Sequence, residues 1–159
     1  MNTVYLLLGS NLGNSAQVLA DATKEIELQL GSVQKSSSLY RTAAWGYEDQ
    51  PDFINQIIVI TSVFNAATVL TKTQDIEKKL GRIRTFKNAA RVIDIDILFF
   101  NSEIINTQTL TVPHPQVQNR RFVLIPLAEV APLYQHPLLK KTPKELLLIC
   151  PDNLNVQNI

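Results

Sequence analysis

The spacing of apolar residues changes several times along the chain, and each change predicts a new element. Val4 to Leu8 form a short apolar run closed by Gly9, which indicates a buried strand. Asn14 is suited to cap a helix, with Gln17 as its return partner, and Gly31 is suited to end that helix. Between these signals, apolar residues recur at helical spacing at Leu19, Ala22, Ile26 and Leu30.

The middle of the chain repeats this alternation of strand and helix. Residues 33–40 predict a serine-rich edge strand, and residues 53–62 are β-branched and apolar enough for a central strand. Asn65 can cap a second helix, and Gly81 can end it. The inner stripe of this helix consists of Val69, Thr73, Ile76 and Leu80.

The C-terminal part predicts a strand, a small hairpin and two short helices. Residues 92–100 form the predicted strand, 101–112 the hairpin, and 122–130 and 144–149 the helices. The last nine residues, 151–159, are rich in asparagine, and we expect them to form a loosely held tail.

The resulting order is β-α-β-β-α-β followed by a C-terminal α/β extension. This order is typical of the ferredoxin-like α+β sandwich, in which helices pack on one face of an antiparallel sheet. The 159 residues fit a single domain spanning residues 1–159. The fold hosts many functions, so the chemistry must be inferred from particular side chains.

Composition removes several classes of function. Fifteen Lys and Arg residues face fourteen Asp and Glu residues, and the net charge of +1 argues against a broadly basic nucleic-acid binder. One cysteine and two histidines are too few for a zinc site of the Cys/His type. The sequence has no apolar run of the roughly 18 residues that a membrane span needs, and no signal-peptide pattern. We therefore expect a cytoplasmic protein without membrane or nucleic-acid partners.

Two aspartates alternate with isoleucines in the predicted strand after residue 92. In the segment Ile93-Asp94-Ile95-Asp96-Ile97, the period of two sends both carboxylates to one face of the sheet. Their Cα atoms should lie roughly 6.5–7 Å apart, a spacing from which both carboxylates can bind Mg²⁺. The alternative is the solvated face of an edge strand, although the strand is otherwise strongly apolar.

A basic segment precedes this acidic pair. Residues 78–91 contain no acid and carry Lys78, Lys79, Arg82, Arg84, Lys87 and Arg91. Arginine suits polyphosphate because its planar guanidinium donates two parallel hydrogen bonds. A solvated charged loop is the alternative, but cations beside carboxylates favour a site for a metal–polyphosphate complex.

Other positions could complete a binding site. Gln74 and Glu77 share one face of the second helix, where plain solvent exposure is equally compatible with the sequence. His114 lies between two prolines, which favours a rigid turn. Phe53 and Asn55 alternate onto one face and could bind a flat heterocycle, or could belong to the core. The chain lacks a Walker A motif.

These motifs occur in one order along nearly the whole chain, about residues 3 to 150. They are Gly9-Ser10-Asn11, Tyr40-Arg41-Thr42, Asp49-Gln50-Pro51-Asp52-Phe53-Ile54-Asn55, Gln74-Asp75-Ile76-Glu77, Gly81-Arg82-Ile83-Arg84, Arg91-Val92-Ile93-Asp94-Ile95-Asp96, Leu110-Thr111-Val112-Pro113-His114 and Asn119-Arg120-Arg121-Phe122. In this order the chain resembles the 6-hydroxymethyl-7,8-dihydropterin pyrophosphokinases of folate biosynthesis. Members of that family transfer the terminal diphosphate of ATP to the hydroxymethyl oxygen of the pterin and release AMP.

The resemblance implies a role for each matched position. Asp94 and Asp96 would be catalytic ligands of two Mg²⁺ ions, and Arg82 and Arg91 would be catalytic arginines of a mobile loop. The implied pterin-binding residues are Thr42, Trp45, Phe53, Asn55 and Phe122. The implied ATP-binding residues are Gln74, Glu77, Arg84, Arg91, Ile97, Thr111, His114 and Arg120. The implied partners are the two small-molecule substrates, and we expect a monomer.

The chain departs from the family pattern at several positions, among them Ala43, Ala44, Thr109 and Pro115. Residues 88–90 read Asn-Ala-Ala where the family usually has Trp-Gly-Pro, so the aromatic contact of the loop is not preserved there. Three other functions compete with this interpretation, and one of them, a catalytically lapsed binding protein of the same fold, is disfavoured by the intact aspartate pair and arginines. An RNA-binding ferredoxin-like domain would need exposed aromatic residues on its central strands. A two-metal phosphodiesterase would use similar carboxylates but should present a broad basic surface.

Overall fold

The computed structural model describes residues 1–43, 50–82 and 92–159. Its elements, in chain order, are β1 (Asn2–Ser10), α1 (Ser15–Gln29), β2 (Gly31–Ser36), β3 (Tyr40–Thr42), β4 (Phe53–Ser62), α2 (Ala66–Lys79), β5 (Asp94–Phe100), β6 (Ile105–Asn106), β7 (Thr111–Val112), a 3-10 turn (Val117–Asn119), α3 (Arg121–Val130), α4 (Pro143–Ile149) and β8 (Val156–Asn158). No helix in these ranges is long and apolar enough to cross a membrane.

The main sheet is antiparallel and follows the order β5-β1-β4-β3-β8, with β2 also paired to β4. Strand β4 separates β1 from β2, and β1 separates β4 from β5. Each β-α-β unit is thus split by a strand of the other, which confirms the predicted ferredoxin-like α+β fold. Strands β6 and β7 form the small hairpin expected after β5.

Helices cover both faces of this sheet, whereas the sequence predicted helices on one face. Leu6 of β1 packs with α1 and α2, while its neighbour Leu7 packs on the opposite side with α3 and α4. The alternation of β1 explains the difference, since successive side chains point to opposite faces. The nearly continuous apolar run in β1 is the sequence signal of a strand that is buried on both sides.

The predicted helix starts are correct. Of the two glycines predicted to end helices, Gly81 does so, whereas Gly31 has a different role. Asn14 accepts the Gln17 backbone N–H, although the Gln17 side chain donates to Asp21 instead of returning to the cap. Gly81 has the positive φ of +99° expected of a C-terminal stop. Gly31 instead begins β2, where a Cβ atom would lie 1.9 Å from the Thr61 carbonyl oxygen.

The sequence predicts a loosely held tail at residues 151–159, but these residues make hydrogen bonds to the main sheet. Strand β8 pairs with β3, and the Ile159 N–H donates to the Leu39 carbonyl at 3.0 Å. Asp152 is only 7% exposed. Composition was a poor guide here because strands pair through backbone N–H and C=O groups, which asparagine-rich segments also possess. The edge of β3 that does not face β4 offers partners for these groups.

Candidate active site

The acidic pair lies on the sheet face that α3 and α4 cover. Asp94 is opposite Gly9 and Asp96 is opposite Leu7 in the pairing of β5 with β1. The three isoleucines that alternate with them, Ile93, Ile95 and Ile97, are buried in the core beneath α1 and α2. The predicted separation of carboxylates and isoleucines onto opposite faces is therefore confirmed. Strand β5 lies at the edge of the described sheet, with β1 as its neighbour, so its apolar character did not exclude an edge position. Its carboxylates nevertheless line two cavities.

A charged cluster joins the end of α2 to the beginning of β5. One Arg82 nitrogen, Nη1, lies 2.7 Å from Glu77 Oε2 and 2.5 Å from Asp94 Oδ1. The same Glu77 oxygen accepts the Ile95 backbone N–H at 2.7 Å. Glu77 is only 4% exposed, so the solvent-exposed alternative is wrong for Glu77, whereas Gln74 is exposed and lines a cavity. Burial raises the pKa of Glu77, while the Ile95 N–H and Arg82 stabilise its charged form.

Asp96 is partly buried and has a strongly perturbed pKa. Burial, followed by the negative charges of Asp94 and Glu77, raises the pKa of Asp96 to about 8, against the opposing effects of Arg120 and Arg82. The local arginines thus do not fully compensate the carboxylates. A further cation at this point would lower the free energy of the ionised pair.

One cavity beside the pair has the walls of a site for a flat polar heterocycle. Its lining includes all the residues that the family resemblance implies for the pterin and that the structure describes: Thr42, Phe53, Asn55 and Phe122. Thr42 is 2% exposed and Asn55 is 4% exposed. Within the described residues, the buried Thr42 hydroxyl has no hydrogen-bond partner. A buried hydroxyl without a partner is costly, and a ligand with a polar edge would satisfy it.

Gly9 leaves the space that the Asn55 amide occupies. The two residues are paired across β1 and β4, and a Cβ atom on Gly9 would lie 2.6 Å from Asn55 Oδ1. The sequence predicted Gly9 as a strand end and part of a turn, and neither role explains this contact. The motif Gly-Ser-Asn thus begins with a residue whose lack of a side chain shapes the cavity.

We expect Gly9→Ala to weaken pterin binding by about tenfold or more, because the new methyl group displaces the Asn55 amide from its position in the cavity. ATP binding should stay within about twofold, since the second cavity does not include Gly9. Calorimetric titration with each substrate checks this. An unchanged pterin dissociation constant would contradict the role of Gly9.

A second, more open cavity lies on the other side of the acidic pair. Five predicted ATP-binding residues line it, namely Gln74, Glu77, Ile97, Thr111 and His114. His114 Nδ1 accepts the Gln116 backbone N–H at 3.1 Å, which leaves the Nε2 proton available to a phosphate oxygen. Burial, together with nearby Arg120, lowers the pKa of His114 to about 4, so the ring is neutral at pH 7.

Asp94 and Asp96 line both cavities. The acidic pair is therefore the wall that the two cavities share. Arg120 lines the first cavity, with its guanidinium carbon 5.7 Å from the Phe122 ring centre, although the sequence predicted it for the nucleotide. A group bound in one cavity can thus meet a group bound in the other at the carboxylates and the adjacent arginines.

Sequence reasoning missed some lining residues and named others that lie outside the described ranges. Leu7 and Ala43 line the first cavity, and Thr109, Leu110 and Pro115 line the second. Their apolar or small side chains carry no chemical signal, so only the folded structure reveals them. Three predicted site residues fall outside the described residues: Trp45, Arg84 and Arg91.

The chemistry of the pair fits a divalent cation that also binds phosphate. In residues 1–43, 50–82 and 92–159, no group of three or more His, Cys, Asp or Glu side chains could hold a metal ion. Two carboxylates are nevertheless a sufficient protein contribution for Mg²⁺, which usually keeps waters and takes further oxygens from a nucleotide. The raised pKa of Asp96 agrees with a site that a cation completes.

The fold and the two cavities together define a ferredoxin-like α+β protein with two adjoining binding cavities that share an acidic wall. The family model described as 7,8-dihydro-6-hydroxymethylpterin-pyrophosphokinase (HPPK) matches residues 5–132. A 2-amino-4-hydroxy-6-hydroxymethyldihydropteridine pyrophosphokinase of Aquifex aeolicus is 39% identical over 145 residues, covering 91% of this chain and 90% of that protein. The chain therefore belongs to the HPPK family, whose members use ATP as co-substrate.

Some similar proteins are much longer than this chain. The folic acid synthesis protein FOL1 of Dictyostelium discoideum is 38% identical over 99% of this chain, which spans only 24% of that protein. The structure of wild-type Plasmodium falciparum HPPK-DHPS with pteroate has a TM-score of 0.76 and 19% identity, covering 93% of this chain and 42% of that one. This likeness supports the ferredoxin-like fold.

Proposed function

We propose that this protein transfers the terminal diphosphate of ATP to the hydroxymethyl group of 6-hydroxymethyl-7,8-dihydropterin and releases AMP, a step of folate biosynthesis. The observation that carries the proposal is the acidic wall, Asp94 and Asp96, shared by a heterocycle-sized cavity and a more open one. A transfer between two substrates requires two sites that meet where the bond forms. Family membership supplies the identity of the two substrates.

The pterin would lie in the first cavity. Phe53 and Phe122 offer aromatic faces to the ring, and Thr42 and Asn55 offer hydrogen bonds to its polar edge. This placement directs the hydroxymethyl group toward the acidic pair. Binding in a fixed orientation lowers the entropic cost of reaching the transition state.

ATP would lie in the second cavity with its phosphates toward the same carboxylates. Neutral His114 can donate from Nε2 to a phosphate oxygen, and Arg82 is already beside Asp94. Attack by the pterin oxygen at the β-phosphorus increases negative charge on the transferring and leaving oxygens. Arginines fixed near these oxygens stabilise that charge without a covalent intermediate. Arg84 and Arg91 are proposed to contribute in the same way, on the basis of the family pattern.

Mg²⁺ is the proposed metal, with Asp94 and Asp96 as its protein ligands and two ions expected. When bound, the ions neutralise phosphate charge and lower the pKa of the substrate hydroxyl, so no dedicated general base is required. A bound cation would favour the ionised form of Asp96, whose pKa burial and the neighbouring carboxylates otherwise raise to about 8. We also propose a cytoplasmic, monomeric enzyme, as expected from the sequence.

AMP release tests the proposed function directly. The purified chain should release AMP from ATP when both 6-hydroxymethyl-7,8-dihydropterin and Mg²⁺ are present, and not when either is omitted. Pterin diphosphate should form in a 1:1 ratio with AMP, measured by chromatography. AMP or ADP formed without pterin would instead indicate hydrolysis of ATP, and cleavage of a phosphodiester substrate with Mg²⁺ would support the phosphodiesterase alternative. The RNA-binding alternative has no support, since α3 and α4 cover the sheet face that such domains expose.

Trp45 provides an optical test of the pterin site, because it is the only tryptophan. The family pattern assigns it to the loop between Thr42 and Phe53, both of which line the first cavity. We expect the emission of Trp45 to change on pterin binding, and to change more when a non-hydrolysable ATP analogue and Mg²⁺ are also bound, because closing of the site excludes water. An unchanged signal at saturation, after correction for pterin absorbance, would remove Trp45 from the pterin site.

A further inference from the structure

The C-terminal segment, residues 151–159, contacts the two walls of the pterin cavity. The HPPK family model matches residues 5–132, so the segment lies outside the part of the chain that defines the family. The segment itself lines neither cavity. Its connection to the site runs through the start of α3 and through strand β3.

Asp152 joins the C-terminal segment to the first residue of α3. Its Oδ2 accepts the Arg121 backbone N–H at 3.0 Å, and its Oδ1 accepts the Leu154 backbone N–H at 2.9 Å. The Arg121 side chain also donates from Nε to the Leu154 carbonyl at 3.3 Å. A buried carboxylate that accepts a helix-start N–H satisfies an otherwise unpaired donor and interacts favourably with the helix dipole.

The residues on both sides of Arg121 line the cavity. Arg120 and Phe122 are both in its wall, and Arg120 has no side-chain capping hydrogen bond of its own to the helix. Asp152 thus supplies a side-chain acceptor to the first turn of α3, between these two lining residues. A rotation or shift of that turn would move Arg120 and Phe122 together.

The same segment supports the opposite wall through β8. Val156 pairs with Thr42, and β3 thereby lies between β4 and β8. Thr42 lines the cavity and carries a buried hydroxyl without a hydrogen-bond partner among the described residues. An unpaired β3 would be a three-residue edge strand, which its neighbours hold less firmly.

We propose that Asp152 is a positioning residue for the pterin site. It fixes the start of α3, and with it Arg120 and Phe122, while the chain that follows it holds Thr42 in place from the other side. Asp152 touches no substrate and acts through these residues. The inference rests on the proposed function, because it assigns the first cavity to the pterin.

Asp152→Ala tests the proposal, with Thr142→Ala as the matched control. Thr142 caps α4 by accepting the Glu145 N–H and forms a capping box with the Glu145 side chain, and neither residue lines a cavity. Both variants remove a helix-start acceptor, so both should lower Tm. We expect Asp152→Ala to raise the pterin dissociation constant and KM by about tenfold, and Thr142→Ala to change them by less than about twofold.

Asp152→Asn separates positioning from folding. Asparagine keeps the size of the side chain and one acceptor oxygen, so we expect a smaller loss of pterin affinity than in Asp152→Ala. If Asp152→Ala does not fold, the pterin affinity of Asp152→Asn tests whether Asp152 positions the site. A pterin dissociation constant within about twofold of wild type in the folded Asp152 variants, or an equal rise in Thr142→Ala, would overturn the proposal. Wild-type AMP release is measured first, since its absence would refute the proposed function and not the role of Asp152.

Discussion

Asp94→Ala and Asp96→Ala should each lower kcat by at least about 10³-fold, because each removes a metal ligand from the wall between the two substrate cavities. Polyphosphate would then face the remaining carboxylate without full charge compensation. Single-turnover assays at saturating ATP, pterin and Mg²⁺ measure the effect. Near-normal turnover in either variant at high Mg²⁺ would exclude the metal assignment.

The same substitutions should leave the fold intact, and Asp96→Asn should increase its stability in metal-free buffer. The pKa of Asp96 in the folded protein is about 8, whereas an unfolded aspartate has a pKa of about 3.9. As pH rises between these values, the unfolded chain ionises more readily, so wild-type stability falls. Asparagine mimics the neutral form and does not incur this loss.

Thermal unfolding at pH 5 and pH 8 measures this difference. We expect Asp96→Asn to exceed the wild type at pH 8 by at least about 1.4 kcal/mol, the equivalent of one pKa unit, or roughly 3–6 °C in Tm. The difference should shrink toward pH 5, and Mg²⁺ should stabilise the wild type more than the variant. A lower Tm for Asp96→Asn at pH 8 would show that the ionised carboxylate is well compensated without metal.

Much of the fold follows from local signals in the sequence. The caps Asn14 and Asn65 each accept the expected backbone N–H. The alternation in β5 sends Asp94 and Asp96 to one face because a strand has a period of two. These predictions succeed because propensity, capping and periodicity act over a few residues.

The unpredicted features depend on contacts between distant residues. Gly31 looks like a helix stop until β2 and β4 are paired, after which its closeness to the Thr61 carbonyl is visible. The tail pairs with β3 through backbone groups, which leave no pattern in the sequence. Glu77 looks solvent-exposed on its helix, and its burial is explained by two partners outside that helix, the Ile95 N–H and the Arg82 guanidinium.

In the candidate site, too, local signals could be predicted from the sequence and contacts between distant residues could not. Chemistry-bearing residues such as Thr42 and His114 could be chosen from the sequence through the family resemblance, and the structure assigns them to two cavities. The meeting of these cavities at Asp94 and Asp96 could not be predicted, because it depends on how β5, α2 and α3 are arranged around the pair. Gly9 was missed as a lining residue for the related reason that its contribution is space.

Arg82→Ala should lower the rate of the chemical step by about 10²–10³-fold, the usual cost of losing a fixed cationic donor in the transition state. It should also destabilise the protein by about 1–3 kcal/mol, because Glu77 would be buried without the guanidinium that lies 2.7 Å from its Oε2.

The double variant Arg82→Ala/Glu77→Gln separates the two effects, since glutamine removes the uncompensated charge and still accepts the Ile95 N–H. We expect the double variant to regain most of the lost stability and little of the lost rate, relative to Glu77→Gln alone, in thermal unfolding and single-turnover assays. Recovery of both quantities would mean that Arg82 acts by holding Glu77 and Asp94 in place, and that the developing charge is stabilised by other groups.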